Sequence, residues 1–120
     1  NELKMTSETE AEIVFTASIE KGWHVYSTGL GDDGPISATF NINASNHVET
    51  MGKLQPVGKE ISIYDKMFEM NVRYFEDTVQ FIQKVKFTGN DYFMDGFLEF
   101  GACNDESCLP PTQIHFKYGK

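Results

Sequence analysis

Apolar and polar residues alternate with a period of two along much of the chain, the pattern of strands with one dry face and one wet one. In the stretch 10–19, Ala11, Ile13, Phe15, Ala17 and Ile19 alternate with Glu10, Glu12, Thr16 and Ser18. Ile36, Ala38, Phe40 and Ile42 alternate with Ser37, Thr39, Asn41 and Asn43 in the same way, and Val79, Phe81, Val85 and Phe87 with Gln80, Lys84 and Lys86. Tyr92, Met94, Gly96, Leu98 and Phe100 share one side of a later stretch, and Ile114, Phe116 and Tyr118 one side of the last. No stretch keeps a helical period. The runs are separated by turn-forming segments: Glu20-Lys21-Gly22, Gly29 to Pro35, Gln55 to Lys59, Gly89-Asn90-Asp91 and Cys103 to Pro111. About eight short strands punctuated this regularly predict an all-β fold, an immunoglobulin-like β-sandwich first and a small barrel second.

With 120 residues, the pattern fits a single domain, 1–120. Apolar residues make up 40% of it and ten are Phe, enough for a core that folds without metal. Eighteen acidic against ten basic side chains leave a net charge of -8, which opposes binding to nucleic acid and to anionic membrane surfaces. No apolar run approaches the ~20 residues that cross a bilayer. The opening Asn1-Glu2-Leu3-Lys4 lacks a signal peptide's basic and hydrophobic regions, so a piece cut from a larger protein is expected.

The candidate chemistry sits in Gly101-Ala102-Cys103-Asn104-Asp105-Glu106-Ser107-Cys108-Leu109-Pro110-Pro111. Fully extended, five steps would separate the cysteines by roughly 16 Å, against the ~4.4–6.8 Å between Cα atoms that a disulfide needs. Bridging therefore requires a fold-back, which Asn104, Asp105 and Ser107 favour, in a four-residue loop at the tip of a strand pair. Pro110 and Pro111 cannot donate to a sheet ladder and place Cys108 at an exposed edge or end. A ring of six residues would stabilise the fold by only about 2 kcal/mol, less than the ~3 of a fifteen-residue ring. Residues alone leave two readings open, a stabilising staple and an exchange-active pair. A metal site is disfavoured, since the only other soft ligands are the scattered His24, His47 and His115.

Four segments appear in a telling order: Gly22-Trp23-His24-Val25-Tyr26-Ser27, Gly34-Pro35-Ile36, Tyr64-Asp65-Lys66-Met67-Phe68, and the cysteine pair followed by Leu109-Pro110-Pro111. Together they resemble the periplasmic amino-terminal domain of the DsbD thiol:disulfide interchange and cytochrome c biogenesis family, over nearly the whole chain. The resemblance implies an immunoglobulin-like sandwich acting as a protein-disulfide reductase that carries electrons on its cysteines, with no cofactor beyond the disulfide. It implies electrons arriving from a thioredoxin-like domain of the same inner-membrane protein. They would leave to a periplasmic disulfide isomerase or a cytochrome c maturation thioredoxin, without insertion of this domain into the membrane.

Carried over by position, Cys108 matches the cysteine that forms mixed disulfides and Cys103 the one that resolves them. A loop equivalent to Asp65 through Met70 caps the pair in the family, with His24 and Tyr26 at flanking aromatic positions. Here Met67 and Phe68 compete for the cap's tip, and Lys66 stands where the family has an acidic residue. An apolar lid from Met67 or Phe68 would protect a dithiol from stray oxidants. Asp105 and Glu106 disfavour a thiolate at Cys108, so a slow nucleophile in the free domain is expected. Trp23 is expected in the core, with His24 and Tyr26 nearer the cysteines. The alternative is a non-catalytic sandwich that binds protein or glycan through Tyr64, Tyr74 and Phe75, with a structural disulfide.

Overall fold

The computed structural model describes residues 1–31, 34–66 and 68–119. Among these the chain is all-β, with eleven strands and no helix. In chain order the strands are β1 (Glu2–Met5), β2 (Glu10–Ser18), β3 (His24–Tyr26), β4 (Thr39–Asn46), β5 (Val48–Val57), β6 (Ile61–Asp65), β7 (Met70–Phe75), β8 (Thr78–Phe87), β9 (Phe93–Phe100), β10 (Ala102–Cys103) and β11 (Thr112–Gly119). All pairings are antiparallel, in three sheets ordered β1-β2-β8-β5, β11-β9-β4 and β10-β3-β7-β6.

The dry face of each long strand meets the others in one core, so the sheets pack as an immunoglobulin-like sandwich. Ile13 and Phe15 of β2 and Phe81 and Val85 of β8 face Met94 and Leu98 of β9 and Phe116 of β11. Phe15, Phe40 and Phe116 meet ring to ring, and Phe75 of β7 packs edge-on against Phe81. The one polar side chain on the dry face of β8, Gln83, is satisfied by the carbonyls of Gly52 and Lys84. Each sheet keeps two edge strands, so the small barrel is excluded.

The long amphipathic strands lie where the period of two places them, and Trp23 packs against the main core as expected. Three differences have local causes. The segment Gln55 to Lys59 was expected to be a turn, yet Gln55, Pro56 and Val57 end β5. Because β5 is an edge strand, Pro56 pairs opposite Phe81 without interrupting an inner ladder. The strand expected from Ile36 begins only at Thr39, since Gly34-Pro35-Ile36 turns over the cysteine hairpin. The strand count is eleven rather than eight because β1, β3 and β10 have four residues or fewer, too few to display a period.

The connection from β9 to β11 positions the site. Thr112 pairs with Phe100, and beyond them the hairpin continues: Leu109 N donates to the Ala102 carbonyl and Asn104 N to that of Ser107. Between these two levels one strand contributes Gly101 and the other Pro110 and Pro111, a two-against-one irregularity that bends the hairpin. Its tip thereby leaves the β11-β9-β4 sheet and joins β3, with Ala102 opposite Val25 and Cys103 opposite His24. Gly101 suits this close approach, because a Cβ would stand 3.0 Å from the Ile36 carbonyl oxygen, tighter than an ordinary contact.

Candidate functional site

Cys103 and Cys108 form a disulfide with Cα atoms 4.0 Å apart. They face each other at a non-hydrogen-bonded position of the hairpin, flanked by the bonded pairs Ala102/Leu109 and Asn104/Ser107, where side chains approach most closely. Asn104 makes the fold-back: its Oδ1 accepts from the N–H of Glu106 at 2.9 Å and of Ser107 at 2.7 Å. The two sulfurs differ in access. Cys103 is 4% exposed, whereas Cys108 is exposed, with Leu109 beside it 49% exposed.

The β10-β3-β7-β6 sheet has two working faces. Ala102, Val25 and Phe75 point into the main core. Alternation puts Cys103, Tyr26 and Val72 on the other face, where they form a second buried cluster covered by Leu30, Phe68, Met70 and Tyr74. His24 belongs to this face as the register partner of Cys103. Its Nε2 lies 3.1 Å from the Tyr26 hydroxyl and its ring 4.4 Å from that of Tyr74. Burial lowers the His24 pKa, against the raising influence of Glu76, Asp105 and Asp65. Burial pushes the Tyr26 phenol up to about 12, with Asp65 and Tyr74 adding to it, and raises Tyr74.

Two hollows flank the disulfide. One, of about 350 Å³, runs past His24, Tyr26, Tyr64, Asp65, Lys66 and Cys103. The other, of about 220 Å³, lies between Phe68, Pro35, Ile36, Leu109 and both cysteines. The structure thus brings the expected cap residues Asp65, Lys66 and Phe68, together with His24 and Tyr26, around Cys103. Asp65 Oδ1 accepts from the Phe68 N–H at 3.2 Å, which shapes the turn after β6, and Phe68 meets Tyr26 edge-on. Met67, the other candidate for the tip, lies outside the described residues.

Sequence reasoning missed Tyr74 as a neighbour of the site and placed it instead on a binding surface with Tyr64 and Phe75. Of these three, Phe75 is core and Tyr74 half-buried under His24, leaving Tyr64 exposed. The alternation Met70, Val72, Tyr74 along β7 is the signal that would have found it. Ile36 was likewise missed, since only the folded hairpin reveals it beside Cys108. Among the described residues no group of three or more His, Cys, Asp or Glu converges as a metal site. No helix among them is long and apolar enough to cross a membrane.

The chain matches over residues 2–119 the family described as the N-terminal part of the thiol:disulfide interchange protein DsbD. A comparison with curated proteins gives no match. The crystal structure of the Neisseria meningitidis DsbD N-terminal domain in the reduced form is similar in fold. It aligns with a TM-score of 0.56 and 17% sequence identity, over 98% of this chain and 82% of that one. The chain, with its disulfide on a β-sandwich hairpin, belongs to the DsbD N-terminal domain family, whose chemistry is thiol–disulfide exchange.

Proposed function

We propose that this chain is an electron-shuttling protein-disulfide reductase, one domain of a larger inner-membrane protein, working in the periplasm. The oxidised pair takes two electrons from a thioredoxin-like domain of that protein, and the dithiol delivers them to a periplasmic disulfide isomerase or a cytochrome c maturation thioredoxin. The observation that carries this reading is the unequal access of the sulfurs, Cys108 exposed and Cys103 buried. An incoming thiolate reaches Cys108 Sγ, forms the mixed disulfide and expels Cys103 as thiolate, and the donor's second thiolate then releases Cys108. In delivery, Cys108 attacks the acceptor's disulfide and Cys103 resolves the product. Asp65, Lys66 and Phe68 form the cap, with Phe68 the apolar cover of the pair and His24 and Tyr26 flanking it.

The test mixes the oxidised domain with a reduced thioredoxin-like domain and counts alkylated thiols by mass. Reduction of Cys103–Cys108 within seconds, with equal oxidation of the donor, is the expected result. A bridge that stays closed under a large excess of donor overturns the reading.

A further inference from the structure

The resolving half of the exchange leaves a proton to be placed, because Cys103 is buried when it must become a nucleophile. The acids around it, Asp65, Asp105 and Glu76, disfavour a free thiolate. Antiparallel pairing puts the His24 and Cys103 side chains on one face of the sheet, and the step of two along β3 adds Tyr26 to that face. Tyr26 and Cys103 share a buried cluster, and the Tyr26 hydroxyl reaches His24 Nε2 at 3.1 Å. The imidazole is held by a second contact, its ring lying 4.4 Å from Tyr74. It also borders the hollow beside the hairpin, which gives it a path to solvent.

We propose that His24, acting through the Tyr26 hydroxyl, accepts the proton of the Cys103 thiol during resolution of the Cys108 mixed disulfide and is the positioning residue that sets the pH dependence of that step. The inference rests on the exchange reading above. The Cys103 S–H proton passes to Tyr26 Oη as the phenol's own proton passes to Nε2. The Cys103–Cys108 bond forms with the electron pair of Cys103, and the bond from Cys108 to the partner breaks. The partner sulfur leaves as thiolate with that bond's electrons, and the imidazolium returns its proton to water. The groups facing His24 are Tyr26 on its own strand, Tyr74 and Glu76 from β7 and its end, Asp65 and Lys66 after β6, and Asp105 from the hairpin tip. Burial outweighs the three acids and favours the neutral imidazole, and it raises the phenol's pKa to about 12, the directions the relay requires.

The reduced domain is mixed with an aromatic disulfide whose coloured thiolate is released once when Cys108 attacks and again when Cys103 resolves. In the wild-type protein the second release should fall as pH drops through the His24 pKa, which lies below 6.5, and should vary little between there and the thiol pKa. In His24→Phe, which keeps the ring contact with Tyr74, and in His24→Gln, which keeps a polar group toward Tyr26, that plateau should disappear. The second release should then be roughly tenfold or more slower at pH 7 and rise tenfold per pH unit, a loss clearly larger than any in the first release. Tyr26→Phe should behave as His24→Phe. The same plateau in both His24 variants, or equal slowing of both releases, overturns the proposal. So does a wild-type inflection that differs from the His24 titration followed by imidazole NMR, a readout independent of any variant's folding. Failure of the first release in the wild-type protein would sink the exchange reading instead.

Discussion

Cys108→Ser is expected to abolish exchange with protein and small-molecule disulfides, whereas Cys103→Ser keeps the first step and stalls as a long-lived mixed disulfide. Both variants lose the same six-residue ring, ~2 kcal/mol of stability, and Cys103→Ser also buries a hydroxyl in an apolar cluster, so melting alone does not report on reactivity. Access does. The remaining sulfur in Cys108→Ser sits 4% exposed beneath the hairpin, and an attacking group reaches it only after the tip opens. A loss of about a hundredfold or more in the rate of reaction with an aromatic disulfide follows, equivalent to roughly 3 kcal/mol of barrier. Stopped-flow release of the coloured thiolate measures the rates, and intact mass identifies the adduct. Equal reactivity of the two variants would contradict the assignment of Cys108 as the entry point.

Gly96→Ala should unfold the domain more readily than any other single-methyl addition at its glycines. A Cβ there would stand 2.0 Å from the Asn41 carbonyl oxygen and 2.9 Å from Cζ of Phe116. Neither can step aside. Asn41 is held in β4, which shifts register between Ile42 and Ala44 against β9 at this point, and the Phe116 ring is stacked on Phe40. Overpacking commonly costs about 1–3 kcal/mol, and a clash with a ladder carbonyl belongs at or beyond the upper end. At ~3 kcal/mol, a domain of this size should melt roughly 10–20 °C lower. Thermal and urea unfolding give the number, and a loss under about 1 kcal/mol would show that β4 and β9 are not held together as described.

Legibility followed chemical contrast between strand faces. Strands β2, β8, β9 and β11 have one wet face and one dry one, so Phe15, Phe81, Leu98 and Phe116 announced their burial from sequence. Strand β5 did not, because Pro56 and Gly58 read as a turn until the strand is known to be an edge. The cysteine hairpin was readable from Asn104, Ser107 and the two prolines, since its fold-back is local. What was hidden is its crossing into the β3 sheet. The pairing of Cys103 with His24 joins residues far apart in the chain, and β3 and β10 offer three and two residues as signal. Tyr74 was lost for the same reason, since its contact with His24 exists only once β7 lies beside β3.

The reduction potential of Cys103–Cys108 tests the central claim most directly, by equilibration in defined thiol redox buffers, alkylation and mass. An electron carrier requires a value between about -180 and -270 mV, where exchange with thioredoxin-like partners runs in either direction. A value below about -300 mV would mark a structural bridge and contradict the account.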